Sequence, residues 1–237
     1  MQDFDVQISN FLEQFIEKGA YESVLEGLVN TMIIAVAGLI IGIIIGTLIA
    51  VIRVLPKYKT LPRVLDGICS FYVGVFRGTP IVVQLLVFYY VLLPLMGFTR
   101  MDSVTVAIVV FGMNSGAYIS EIMRSGILSV DPGQMEGGRS VGLGYGATMM
   151  KIVIPQAVKN ILPTLGNEFI ALVKETSVAS FVGATDLYKA FRSIGARTYE
   201  YMIPYLAMAI IYVVIVCIIT LGIKLMERRL RRSERKK

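Results

Sequence analysis

The sequence predicts an all-α polytopic membrane protein with five transmembrane helices, its N-terminus outside and its C-terminus inside. Three observations carry this. The mean hydropathy is +0.70, and 55% of the 237 residues are hydrophobic, above the roughly 45–50% of soluble domains. The window from Val24 to Ile52 holds a single charge, Glu26, and about 20 apolar residues at 1.5 Å rise already span a hydrocarbon core of about 30 Å. The basic residues flanking the apolar segments are unevenly distributed, and that asymmetry sets the orientation.

In chain order, the opening MQDFDVQISNFLEQFIEKG is acidic and lacks the basic start and small-residue cleavage site of a secretory signal. Phe4, Ile8, Phe11, Leu12, Phe15 and Ile16 follow helical spacing, so residues 1–22 are expected to form an amphipathic helix lying in the interface. Apolar segments follow near 24–53, 62–97, 103–124, 152–183 and 200–226. Gly38, Gly42 and Gly46 on the first form a doubled GxxxG that marks close helix packing. The second is broken by Arg77, Gly78, Thr79 and Pro80, and again by Pro94; the fourth carries Pro155 and Pro163.

Arg53, Lys57, Lys59 and Arg63 place the first loop inside, while six acidic residues against Lys18 place the N-terminal piece outside. An odd number of spans then puts the C-terminus inside. There the basic run at 227–237, preceded by Lys224, reads as an anchor to membrane lipid rather than a nucleic-acid surface. The loop 184–199 is an exception, since Lys189, Arg192 and Arg197 outnumber Asp186 although parity places it outside. By the same parity the loop 125–151 is cytoplasmic.

Histidine is absent, which excludes His-based metal sites, Ser-His or Cys-His catalysis and imidazole proton relays. Cys69 and Cys217 have no paired spacing and read as small buried core residues. Neither a phosphate loop GxxxxGK[ST] nor a dinucleotide GxGxxG after a strand occurs. No metal or cofactor is therefore expected on this chain, and any ATP that drives it is hydrolysed by another.

Polar residues at membrane depth cost roughly 2.5–3.5 kcal/mol each on insertion scales and tend to face an interior path. Glu168 and Glu175 lie seven apart, nearly in line on one helical face, with Asn167, Thr176 and Ser177 beside them. Glu168 stands roughly 20 Å along the helix from Pro155, in the outer half of the membrane. A carboxylate there can bind an ammonium group or a cationic side chain. Asn114, Ser115, Tyr118 and Glu121 form one stripe on the third span; the first three are candidate substrate contacts. Glu121 is expected to pair with Arg124 near the cytoplasmic end. In RGTP, Pro80 removes a hydrogen bond and Gly78 permits a bend, so Thr79 can contribute to a site lined by freed backbone groups.

The loop 125–151 contains MEGGRSVGLGYGATMMKIVIPQA. Glu136 to Val141 can make one or two helical turns, and Gly142, Gly144 and Gly146 then permit close approach or a positive φ. Glu136 is also placed to favour the first turn of such a helix through its dipole. So short a helix needs a surface to pack on. With Glu136, Gly142, Ile154 and Pro155 at matching places, the stretch resembles the cytoplasmic loop of the permease subunits of ATP-binding-cassette importers. FYVGVFRGTPIVVQLLVFYY (71–90), NSGAYISEIMRSGILSVDPGQMEGGRSVGLG (114–144) and PQAVKNILPTLGNEFIALVKETSVASFVG (155–183) are similar in order and spacing to the permeases that take up polar amino acids. The resemblance covers nearly the whole chain, as one permease domain over 1–237. Gly137 and Gly138 depart from the usual small pair that begins with alanine, and Gly74 stands where relatives often have Glu.

The resemblance implies that the 125–151 loop is a coupling helix seated in a cleft of a separate ATPase subunit, which carries ATP and Mg. Glu136, Gly137, Arg139, Ser140, Gly142 and Leu143 would make that contact. It also implies a second permease copy, identical or closely related, an extracytoplasmic amino-acid-binding protein, and a bacterial cytoplasmic (inner) membrane location. The cargo implied is a polar amino acid; Glu168 leans it toward a basic one. The competing reading is a free-standing secondary amino acid transporter, which would be expected to show an internal repeat and an acidic relay. Neither is evident.

Overall fold

The structure, a computed structural model, describes residues 4–55, 58 and 60–234, with the side chains of 231–234 left aside. Lys57, Lys59 and the tail residues Arg235, Lys236 and Lys237, on which part of the orientation argument falls, lie outside the described residues. Those described are helical, without strands.

A first helix, α1 (Phe4–Leu12), continues through a wide turn Glu13–Glu17, as the spacing of its apolar residues predicts. Its Phe11 and Phe15 lie against the cluster of Leu187, Ala190, Phe191 and Ile194. The long helix α2 (Ala20–Val54) runs 35 residues, roughly 52 Å at 1.5 Å per residue. It is longer than a bilayer core is thick. Helices α3 (Thr60–Gly78) and α4 (Ile81–Leu95) meet at 107°, so the apolar segment 62–97 is not one straight span. Pro80 supplies the break, because it caps α4 from an extended conformation (φ −64°, ψ 139°) and has no N–H to continue α3.

Helix α5 (Ser103–Leu128) is the most enclosed; Asp102 caps it by accepting from the Thr105 N–H at 2.8 Å. A short helix α6 (Pro132–Ser140) follows. Next, α7 (Ile154–Glu175) is entered through Tyr145–Thr148 and a wide turn Met149–Val153. It gives way at Thr176 to a 3₁₀ segment, Thr176–Val182, so the helix proper ends short of the 183 expected. The loop expected at 184–199 is largely a helix, α8 (Leu187–Thr198). Last comes α9 (Met202–Glu234).

Helices α2, α5 and α9 are each long and apolar enough to cross a membrane, and the bent pair α3 and α4 makes a fourth candidate. Helix α7 is long enough at 22 residues but carries Lys159, Glu168, Lys174 and Glu175, which dilute its apolar character. Cys69 is half-buried and Cys217 exposed, so Cys217 is not the core residue expected. It sits on α9, whose apolar window has no buried residue.

The core forms where α2 and α5 touch. A Cβ placed on Gly42 would lie 2.8 Å from Ser115 Oγ, and one on Gly46 2.7 Å from Ile119 Cγ2. Reciprocally, a Cβ on Gly112 would lie 2.5 Å from Ile41 Cγ2, and one on Gly116 2.7 Å from Ile45 Cγ2. Each helix thus offers glycines to the other's side chains, three of them isoleucines, as the doubled GxxxG predicts.

This packing predicts the sign of a substitution. Gly46→Ala gains about 1 kcal/mol in helix propensity but forces overpacking that typically costs 1–3 kcal/mol, so its melting temperature in detergent should fall. Gly67→Ala, where a Cβ meets nothing within 4 Å, should melt at or above the wild type. Equal melting of the two variants would contradict the packing assigned here.

Candidate functional site

The bend between α3 and α4 exposes carbonyls that a straight helix would have used. One side chain collects them. Gln84 Nε2 donates to Phe76 O at 2.8 Å, to Thr79 O at 3.0 Å and to Thr79 Oγ1 at 2.9 Å. Thr79 Oγ1 donates back to Val75 O at 2.8 Å. From α5, Asn114 Nδ2 reaches Gln84 Oε1 at 2.9 Å and Phe76 O at 3.3 Å. Thr79 and Asn114, both candidates from sequence, are therefore brought together, with Gln84 between them. Gln84 was missed, although it is the one amide within the apolar run IVVQLLVFYY, and that isolation was the signal.

One residue further along α5, the buried Ser115 turns to α7 and donates from Oγ to Glu168 Oε1 at 3.1 Å. Among the described residues this hydroxyl is the hydrogen-bond partner of the Glu168 carboxylate. An ionised carboxylate accepts at about four lone-pair positions, so most of its capacity is open to a donor from elsewhere. Asn167 is exposed and outside this network. Tyr118 is also apart: its ring lies beneath the Arg77 guanidinium, 5.4 Å from the ring centre, in a cation–π contact.

At the other end of α5, Glu121 pairs with Arg124 at 2.8 Å, as the sequence suggests, and also with Arg53 of α2. Arg53 lies 3.8 Å from Asp66 of α3. Three helices are tied there by one charge cluster.

Below it, α6 begins at Pro132 rather than Glu136. Asp131 caps it by accepting from the Gly133 N–H at 2.8 Å, and Pro132 occupies the first turn. Glu136 therefore stands mid-helix, and the first-turn role suggested for it belongs to Asp131. The helix closes with Leu143 N–H to Gly138 O at 3.1 Å and Gly142 N–H to Arg139 O at 3.0 Å, the paired bonds of a Schellman cap. Gly142 has φ +87° and open space where a Cβ would go, so conformation rather than close approach requires glycine there. Gly138 is the close-approach residue, buried against Thr148. Glu136, Gly137, Arg139, Ser140, Val141 and Gly142 are exposed on the outer face, while Leu143 is half-buried.

On the opposite end, α8 docks on α2. Asn30 Nδ2 donates to Thr185 O at 2.8 Å, and the Leu187 N–H donates to Thr31 Oγ1 at 3.2 Å. Asp186 caps α8 by accepting from the Lys189 N–H at 2.7 Å. Its other oxygen is buried without a partner. Burial pushes the Asp186 carboxyl up to about 7, against the opposing pull of the Lys189 N–H and ammonium.

The whole is a bundle of membrane helices around a polar seam, with one helix presented beyond its end. That defines the class as a membrane transport subunit. The chain belongs to the family described as binding-protein-dependent transport system inner membrane component, which it matches over residues 38–232. It is 41% identical over 167 residues to the arginine transport system permease protein ArtQ of Bacillus subtilis (strain 168), covering 70% of this chain and 76% of that one. To the L-cystine transport system permease protein TcyB of the same organism it is 39% identical over 171 residues, 72% of each chain. Among solved structures it is similar to one described as an amino acid ABC transporter with histidines, with a TM-score of 0.83, 36% identity, and 92% of this chain and 98% of that chain covered.

The Asp186 site predicts a pH effect. Its folded pKa of about 7 exceeds the unfolded value of about 3.9, so stability is full below pH 4, is lost as pH rises through 7, and is level above that. Asp186→Asn keeps an oxygen for the cap and removes the titration. Melting at pH 5 and pH 8 should show the variant gaining on the wild type at pH 8; a pH-independent difference would contradict the assignment.

Proposed function

We propose that Glu168 is the contact in this chain for the cationic group of an amino acid, and that α6 is the segment gripped by a separate ATPase. The frame for this is established by the family: the chain is a permease subunit of an amino-acid ATP-binding-cassette importer and not itself an enzyme. The single observation that carries the site is the half-buried Glu168 carboxylate, bonded by one serine hydroxyl. Asn114, Ser115 and Thr79 line the same seam and would complete the contact, with Asn167 and Tyr118 as flanking candidates. The relatives' names speak of arginine and of cystine, so likeness alone does not choose the cargo. A half-buried carboxylate with open acceptor positions favours a basic one.

In this reading α2, the bent pair α3 and α4, α5, α7 and α9 make five crossings of a bacterial inner membrane, with the N-terminus outside and the C-terminus inside. Arg53, Arg63 and the basic C-terminal residues support that orientation. The chain forms one permease domain with three appendages: an interfacial segment 1–22, the coupling loop 125–151 and the basic tail 227–237. It pairs with a second permease copy, receives cargo from an extracytoplasmic binding protein, and leaves ATP and Mg to the ATPase. The exposed face of Glu136, Gly137, Arg139, Ser140 and Val141, closed by Gly142 and Leu143, is the surface offered to that partner.

Reconstitution with the ATPase and binding protein in proteoliposomes tests the site. Glu168→Gln should lower uptake of arginine or lysine by about ten- to a hundredfold, the worth of a charge-assisted hydrogen bond of about 1.5–3 kcal/mol, with ATPase docking intact. Unchanged uptake would remove Glu168 from the site, and ion-gradient uptake by this chain alone would favour a secondary transporter. In the same vesicles Gly142→Val, strained at φ +87°, should separate ATP hydrolysis from uptake while Gly67→Ala, where a Cβ meets nothing within 4 Å, stays coupled. Full coupling in the valine variant would refute the role of the cap.

A further inference from the structure

Arg77 stands at the break between α3 and α4, one residue after the Phe76 carbonyl that Gln84 and Asn114 hold. It is exposed, and its guanidinium lies over the Tyr118 ring, 5.4 Å from the centroid. Among the described residues it has no ion pair and no side-chain hydrogen bond. Stacking occupies the flat face of a guanidinium and leaves the N–H groups around its edge able to donate. Cations within membrane segments almost always pair with an anion or a carbonyl; this one does not.

The open carboxylate of Glu168 borders the same space. At about 100° per residue, Tyr118 projects from α5 between the directions of Asn114, which meets the bend, and Ser115, which meets Glu168. Asn114 and Ser115 are 5% and 0% exposed, whereas Tyr118 is 37% exposed. The gap between the bend and α7 therefore opens over Tyr118, with Arg77 on one side and Glu168 on the other. Three residues, roughly 4.5 Å of helix, separate Ser115 from Tyr118. A guanidinium and a carboxylate that flank one opening without pairing are the complement of a molecule that carries both charges.

We infer that Arg77 binds the α-carboxylate of the transported amino acid while Glu168 takes its cationic group, with Tyr118 as the platform that orients the guanidinium. This deepens the assignment of Glu168 and rests on it for the position of the second charge. The chain is an amino-acid permease, and every amino acid presents that carboxylate whatever its side chain. Arg77 thus reads the class of cargo, and Glu168 the particular member. The planar fork of arginine meets a carboxylate through two parallel hydrogen bonds, a geometry that a lysine ammonium does not reproduce.

Equilibrium binding to the purified permease–ATPase complex, with no binding protein present to filter the ligand, tests this. The probes are labelled arginine and agmatine, which is arginine without its carboxylate; glutamine and 4-aminobutanamide, its decarboxylated counterpart, supply the same comparison for a neutral cargo. The wild type should bind the carboxylate-bearing member of a pair about ten- to a hundredfold more tightly. Arg77→Gln should weaken that member to the level of its decarboxylated partner and leave the partner's own affinity unchanged, which also shows that the variant is folded. Arg77→Lys should restore only part of the loss. Equal binding of both members of each pair by the wild type would overturn the proposal. So would an equal loss for both members in Arg77→Gln, which would make Arg77 a support for the bend rather than a contact. Glu168→Gln should weaken arginine and agmatine alike; if it changes neither, the Glu168 assignment fails while the carboxylate comparison still decides the role of Arg77.

Discussion

Everything else in the structure depends on the backbone contact between α2 and α5. In lipid there is no hydrophobic gain in bringing two apolar helices together, so association rests on van der Waals fit. Gly42 and Gly46 accept Ser115 and Ile119, and Gly112 and Gly116 accept Ile41 and Ile45. A helix held from both directions can neither rotate nor slide. Asn114 and Ser115 lie between Gly112 and Gly116 of α5 and inherit that fixity. One is aimed at the bend of α3 and α4, the other at α7.

The two polar clusters so formed differ in completeness. At the bend, Gln84, Asn114 and Thr79 take up the carbonyls of Val75, Phe76 and Thr79. Irregular backbone at membrane depth is tolerated when protein satisfies it, and here the protein does. At Glu168 the same accounting stops early, with one hydroxyl on a carboxylate. In the function proposed above, an arriving ammonium or guanidinium would donate to the positions of that carboxylate that Ser115 leaves open.

Much of this was legible in the sequence because it depends on local pattern. The doubled GxxxG of α2, the break at Pro80, the amphipathic start and the polar character of Asn114, Ser115 and Glu168 within apolar segments each announce themselves within a few residues. What escaped depends on partners far along the chain. Gln84 acquires its meaning from Phe76 and Asn114, and Arg53 from Glu121. Helix α8 was hidden because Lys189, Arg192 and Arg197 gave its segment the look of a polar loop, although Asp186 stood as a cap before an amphipathic pattern. The start of α6 lies four residues before Glu136 because Asp131 accepts from the Gly133 N–H and Pro132 follows it, a cap and then a residue preorganised for a first helical turn.

The basic character of α8 contradicts the orientation rule only if its cations are free to choose a side. Lys189 is not, since its Nζ donates to Gly183 O at 2.6 Å and its backbone is held by Asp186. The residue is committed to closing the turn after a glycine at φ +87°. At the opposite end, the contacts of α6 are equally committed. Met135 joins Val130, Val153, Ala157 and Ile161, against which Ile122 and Ile127 of α5 also pack, and Asn160 of α7 donates to Ser129 Oγ at 2.9 Å. A force on α6 is therefore passed to α5 and α7 together through packed side chains. Ser115 is thirteen residues from Leu128, roughly 20 Å along a rigid helix, and Glu168 lies at a similar remove along α7. The Ser115–Glu168 pair thus spans the two helices that a movement of α6 would displace, so in the function proposed above a change in their separation would alter the proposed contact.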